Sequence, residues 1–224
     1  MKKEVIVLSL GGSVFFPDEI DVKFLLNFKK LIRSYIKKYK FVIITGGGKI
    51  CRKYVSAARR FPGVKETDLD VLGVRVTRLN AKFIRLLFKD IAGKNILKDP
   101  SKKISFEKII FGAGWEPGHS SDWDAVIAAK TYNAKTIVNM TNVNVLYDKD
   151  PAIYKTAKPI KKTTWSSMLK ITGTKWRAAM NYPFDPTASK LAKKYKLTLI
   201  LIGKNLNNFK KFLDKKQFKG SVVQ

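Results

Sequence analysis

Short uninterrupted apolar runs recur along the chain, separated by stretches whose apolar residues return every third or fourth position. Val5-Ile6-Val7-Leu8, Phe41-Val42-Ile43-Ile44, Lys108 to Gly112, Thr136 to Met140 and Leu197 to Ile202 read as strands buried on both faces. Phe24, Phe28, Leu31, Ile32 and Tyr35 fall at helical spacing, predicting a helix from Val22 to Tyr39 with Asp21 as its N-cap. Further helices are expected over Ile50–Arg60, Leu69–Ile91, Asp122–Tyr132, Ser166–Ile171, Pro186–Tyr195 and Leu206–Leu213, and Ser221–Val223 reads as a final edge strand. Alternating strands and helices imply an α/β fold, with a mostly parallel central sheet covered on both sides. At 224 residues the chain can form a single domain, 1–224. Glycine loops dominate before about residue 105, and loops rich in Asp, Asn and Thr dominate after it. One compact domain with two lobes follows, about 1–105 and about 106–224.

Two of the strands run straight into glycine. Gly11-Gly12-Ser13 follows the first, and Thr45-Gly46-Gly47-Gly48-Lys49 follows the second. A strand, a glycine turn and a helix start together present N–H groups to an anion. Two such loops on one rim suggest a phosphate passing between two cradles, because ligands of open α/β sheets sit beyond the strand carboxyl ends. Arg52, one helical turn further on, can fork onto a phosphate or lie on the surface beside Lys53. The second loop is not a Walker sequence, since no Ser or Thr follows Lys49.

Composition narrows the choices. No apolar run approaches the roughly 20 residues that cross a bilayer, and Met1-Lys2-Lys3-Glu4 does not resemble a signal peptide. One cysteine and one histidine exclude an internal disulfide and a zinc cluster, and fit a reducing, cytoplasmic setting. The net charge of +28 could mark a nucleic-acid binder. The lysines are scattered over solvated helix faces without a basic tail, which favours a basic surface around anionic substrates instead.

The densest polar stretch is Gly114-Trp115-Glu116-Pro117-Gly118-His119-Ser120-Ser121-Asp122. Pro and Gly make it a loop, and its last residues would cap the helix that follows. Asp122 and Asp124, two apart on a helix, face differently and are no catalytic pair. His119 can be a base or an exposed loop residue, and Trp115 a stacking platform or a lid aromatic. Thr141-Asn142 and Tyr147 to Asp150 can hold an adenine ring or simply form turns. Asp185 before Pro186 reads as a cap unless a metal or a lysine lies nearby.

This order of motifs, with Asp70-Val71-Leu72-Gly73 between the second glycine loop and Pro117-Gly118-His119-Ser120-Ser121-Asp122, resembles the amino acid kinase superfamily. Within it, the likeness is to archaeal-type uridylate (UMP) kinases, from about Val5 to Val223. The resemblance implies an αβα sandwich, usually a homohexamer, moving the γ-phosphoryl of ATP to UMP with Mg²⁺. It places Gly12, Ser13, Gly48 and Arg52 at the ATP phosphates or the migrating group, and Thr141, Asn142, Tyr147 and Asp150 at adenosine. It places Gly47 at the UMP phosphate, Asp70 at the ribose hydroxyls, and the loop Trp115, Glu116, Pro117, Gly118, His119, Ser120 and Ser121 around the nucleoside. Asp122 and Asp185 match acidic positions that organise Mg²⁺ or nearby lysines. Ser9 stands where relatives carry lysine or aspartate, and Asn144-Val145 replaces Asp-Gly. A phosphate monoester ionises with a second pKa of about 6, so no general base is expected and His119 is not expected to be catalytic. Another small acceptor, or an inactive basic relative that binds nucleotide or RNA, are the competing readings.

Overall fold

The computed structural model describes residues 3–151, 153–173 and 183–224; Met1 and Lys2 of the N-terminal reading lie outside them. Strand β1 (Glu4–Leu10) sits mid-sheet, pairing in parallel with β2 (Tyr39–Thr45) and β5 (Thr136–Thr141). Beyond β2 lie β4 (Ile109–Gly112) and the edge strand β3 (Ala92–Leu97), both parallel to it. Beyond β5 lies β9 (Thr198–Gly203), also parallel, then β10 (Ser221–Val223) and β8 (Lys162–Thr163). The sheet order is β3-β4-β2-β1-β5-β9-β10-β8. A hairpin of β6 (Leu146–Tyr147) and β7 (Pro159–Ile160) stands apart from it.

Helices cover both faces. One face packs α2 (Val22–Tyr35), the end of α4 (Glu66–Leu87) and α8 (Leu206–Leu213) onto Ile6, Leu8 and Leu10. The other packs α5 (Ser121–Thr131), α6 (Trp165–Thr172) and α7 (Pro186–Lys194) onto Val7, Val42 and Ile137. The expected αβα sandwich is therefore the fold. In α2 the Asp21 carboxylate accepts the Phe24 N–H at 2.8 Å, as its N-cap position predicted. Phe28 is fully buried there and meets Phe24 and Phe88 at ring distances of 5.7 and 6.0 Å.

Several expectations need correction. Helix α2 stops at Tyr35, and Tyr39 opens β2, with its buried hydroxyl donating to the Leu213 carbonyl at 2.8 Å. Its ring had extended the helical period by coincidence. Strand β10 is not at the edge: β8 pairs outside it. After Gly11 comes only a single turn, α1 (Gly12–Phe15), whereas the second glycine loop opens the full helix α3 (Gly48–Ala58).

Candidate active site

Because β4, β2, β1, β5 and β9 run parallel, the loops after them meet on one rim. The two glycine turns there touch backbone to backbone. A Cβ on Gly12 would lie 2.3 Å from the Gly48 nitrogen, and one on Gly48 would lie 2.5 Å from the Gly12 carbonyl carbon. Gly48 also has φ +66°, a region that L-residues rarely enter. The glycines thus serve contact between the loops as much as contact with an anion, and the two cradles form one ridge. Asn80 on α4 anchors that ridge, donating to the Gly46 carbonyl at 2.9 Å.

Helix α3 starts on the ridge with no side-chain cap and no acidic residue in its first turn. Its N–H groups and dipole are accordingly available to a phosphate. Arg52 reaches across from α3 to donate to the Ser13 hydroxyl at 3.0 Å, which fixes the guanidinium over both loops. Lys49 points away, paired with Asp18 on the surface.

Two cavities open along this ridge. The larger, about 690 Å³, runs from Gly12 and Ser13 towards Thr141, Asn142, Tyr147 and Asp150. The smaller, about 230 Å³, lies over Asp70, Thr77 and His119. Gly47, Gly48, Arg52, Ser121 and Asp122 line both.

Asp122, in the first turn of α5, forms the floor where the cavities meet. Ser9 donates to its Oδ1 at 2.9 Å, and the Asp185 backbone N–H donates to its Oδ2 at 3.1 Å. Burial, and then the neighbouring charge of Asp185, push its carboxyl up to about 7 against the pull of those two donors. Asp185 lines the smaller cavity but is also the N-cap of α7: its Oδ1 accepts the Thr187 N–H at 2.6 Å and the Ala188 N–H at 3.3 Å. Its Oδ2 accepts from Ser120, whose hydroxyl in turn caps α5 by accepting the Trp123 N–H at 3.1 Å. Asp124 faces the interior, as its two-residue offset from Asp122 predicted. It is fully buried and accepts the Trp115 N–H at 3.3 Å, and burial holds its carboxyl well above the usual range.

The acceptor loop divides in two. His119, Ser120 and Ser121 line the smaller cavity, whereas Glu116, Pro117 and Gly118 are exposed outside it. Gly118 returns through its N–H, which donates to Asp70 Oδ2 at 3.0 Å. Burial raises the Asp70 carboxyl, and that same N–H pulls it down. Trp115 also lies outside the lining, stacked on Trp123 at 5.7 Å, while His119 stacks on Trp123 at 3.9 Å.

Sequence reading passed over Arg78, Asn80 and Asn139. Arg78 clamps the loop from α4, donating to the Gly114 and Trp115 carbonyls at 3.2 and 2.7 Å. Asn139 lies under the larger cavity on β5 and donates to the Pro183 carbonyl at 2.9 Å. A polar residue inside an apolar strand run was the available signal for Asn139. Arg78 and Asn80 looked like any polar residues on a helix.

No group of three His, Cys, Asp or Glu side chains able to hold a metal occurs among the described residues. Mg²⁺ needs no such cage when phosphates supply most of its ligands. Asp122 lines both cavities whereas Asp185 lines only the smaller one, and each Asp122 oxygen accepts one hydrogen bond and keeps a further lone pair, so the donor set fits a phosphate-held Mg²⁺ with Asp122 as its protein contact.

Sheet topology, paired loops and facing cavities define a phosphoryl-transfer fold, and the comparisons agree. The Amino acid kinase family model matches residues 4–203, and the chain belongs to that family. It is 34% identical to the uridylate kinase of Thermoplasma volcanium, over 95% of this chain and 94% of the relative. It is 32% identical to the uridylate kinase of Methanobrevibacter smithii, over 97% and 98%. Among solved structures it is similar to the uridylate kinase of Archaeoglobus fulgidus, with TM-score 0.82 and 28% identity over 98% of this chain and 99% of that one.

Proposed function

We propose that the protein transfers the γ-phosphoryl group of ATP to UMP, giving ADP and UDP. The observation that carries this reading is the junction of two cavities at Gly47, Gly48, Arg52, Ser121 and Asp122. Phosphoryl transfer needs donor and acceptor held in line, with cationic and N–H groups around the migrating oxygens. ATP fills the larger cavity, its adenosine between Thr141, Asn142, Tyr147 and Asp150 and its phosphates along Gly12, Ser13 and Gly48. UMP fills the smaller one, its phosphate at Gly47 and its ribose on Asp70, which exchanges the Gly118 N–H for sugar hydroxyls. Trp115, Glu116, Pro117 and Gly118 form the outer wall over the nucleoside, and His119, Ser120 and Ser121 the inner one.

Arg52 and the uncapped start of α3 stabilise charge on the migrating group. An ionised UMP phosphate attacks without a general base, so Asp122 positions and His119 takes no proton. Bound with ATP and held on the protein side by Asp122, Mg²⁺ would supply charge neutralisation of the β and γ oxygens. Asp185 supports this by holding Ser120 and Asp122 in place. Both cavities take residues from 1–105 and from 106–224, so in this reading the site lies across the two lobes of one domain.

Exposed Tyr54, Val71 and Leu79 on α3 and α4 support a homo-oligomer, and the likeness to uridylate kinases suggests a hexamer. Among the described residues no helix is long and apolar enough to cross a membrane, in keeping with work in the cytoplasm. The scattered basic surface favours small anionic substrates over nucleic acid.

The test is ADP release from Mg²⁺-ATP with UMP, CMP, dUMP or no acceptor. Turnover with UMP far above the others supports the reading, and equal rates with every acceptor contradict it.

A further inference from the structure

Strand β1 is buried on both faces, and the face that carries Val7 packs against the apolar layer of α5 and α7. Two residues on, that face carries Ser9, only 2% exposed, and beside it in the β1–β5 register lies Asn139, 5% exposed. A buried hydroxyl and a buried amide at sheet centre cost stability unless they are hydrogen-bonded. Both are, and both bonds lead to the same carboxylate. Ser9 donates to Asp122 Oδ1 at 2.9 Å. Asn139 donates to the Pro183 carbonyl at 2.9 Å, and the Asp185 N–H, two residues further, donates to Asp122 Oδ2 at 3.1 Å. Asp185 also presents a like charge to Asp122. A carboxylate repelled by its neighbour holds one orientation only when donors grip both of its oxygens.

We propose that Ser9 and Asn139 are positioning residues that fix the Asp122 carboxylate where the two cavities meet, Ser9 directly and Asn139 through the Pro183–Asp185 turn. The inference rests on the phosphoryl-transfer reading above. It gives a role to the serine that stands where lysine or aspartate was expected from the family likeness: a neutral donor keeps Asp122 in place without adding charge to the floor. Both residues lie at the floor of the larger cavity, but their hydrogen bonds go to Asp122 and to the Pro183 carbonyl, so their loss acts on the transfer step more than on binding.

The experiment compares Ser9→Ala, Ser9→Thr, Asn139→Ala and the Ser9→Ala/Asn139→Ala double variant with the parent, using Mg²⁺-ATP and UMP. Losing a hydrogen bond to a charged group lowers kcat in Ser9→Ala by about 10- to 100-fold, with KM for both substrates within about twofold. Ser9→Thr, which keeps the hydroxyl, stays within about threefold of the parent. Asn139→Ala falls in the same direction, and the double variant loses less than the product of the single losses, because both act through one carboxylate.

An active parent with Ser9→Ala within about twofold in kcat overturns the proposal, as does a change confined to KM. An inactive parent removes the kinase reading instead. The ligand-free melting temperatures of Ser9→Ala, Asp122→Ala and their double variant then decide, since alanine removes both carboxylate oxygens. Shifts that fail to add support the grip on Asp122, and additive shifts overturn it.

Discussion

Replacing Asp122 by Asn should make the ligand-free protein more stable while removing its activity. The carboxyl is displaced from 3.8 to about 7, by burial first and the charge of Asp185 second. At about 1.4 kcal/mol for each tenfold change in acidity, that displacement sets a ceiling of about 4 kcal/mol against the ionised fold. The sign follows from which state holds the proton more tightly. The folded carboxyl does, so the penalty is absent below about pH 4, grows as pH rises towards 7, and is complete above it. Asparagine fits the same contacts: its oxygen can accept the Asp185 N–H, and its amide can donate to the Ser9 hydroxyl, which accepts as readily as it donates. For a chain of this size 1 kcal/mol moves the melting temperature by about 2–4 °C. The variant should therefore melt up to about 8–16 °C above the parent at pH 8, and within a degree or two of it at pH 4. Turnover should fall by at least about 100-fold, because the carboxylate that would hold Mg²⁺ on the protein side is gone. Differential scanning calorimetry across pH, with a parallel ADP-release assay, reads both effects. A variant that melts no higher than the parent at pH 8, or by the same margin at both pH values, would refute the reasoning.

Three other changes probe separate parts of the structure. Asp70→Asn should raise KM for UMP by about 10- to 100-fold with KM for ATP unchanged, the cost of losing a charged acceptor for the ribose, and should weaken discrimination against dUMP in steady-state kinetics. Gly48→Ala should abolish turnover and lower the melting temperature, because φ of +66° alone costs about 1–2 kcal/mol and the Gly12 backbone has no side chain to yield. Phe28→Ala should cost about 3–5 kcal/mol in urea denaturation, with KM values unchanged because the site is remote from α2.

Much of the fold was legible because its strands are buried on both faces, so they appear as apolar runs rather than alternating patterns. The elements that escaped had weak reasons to be seen. Strand β3 carries Gly93, Lys94 and Asn95 and shifts register along its length, as an edge strand can. The hairpin of β6 and β7 has two residues on each side, too few for any period. At the site, strand-then-loop order implied one shared rim, and Gly47, Gly48, Arg52 and Asp122 line the same two cavities there. Lys49 shows the limit of such order: adjacency to the glycines says nothing of where a long side chain turns, and Asp18, remote in sequence, holds it outside. Asn139 and Arg78 act through carbonyl groups brought near by tertiary packing, and no local pattern encodes such a partner.

The two adjoining cavities imply direct transfer from donor to acceptor. ATP labelled in its γ-phosphate, mixed with UMP and excess enzyme, gives the most direct test when product and protein are both counted. Direct transfer leaves label in UDP matching the ADP formed, none on the protein, and no ADP without UMP. ADP formed without UDP, or label retained by the protein, would contradict it.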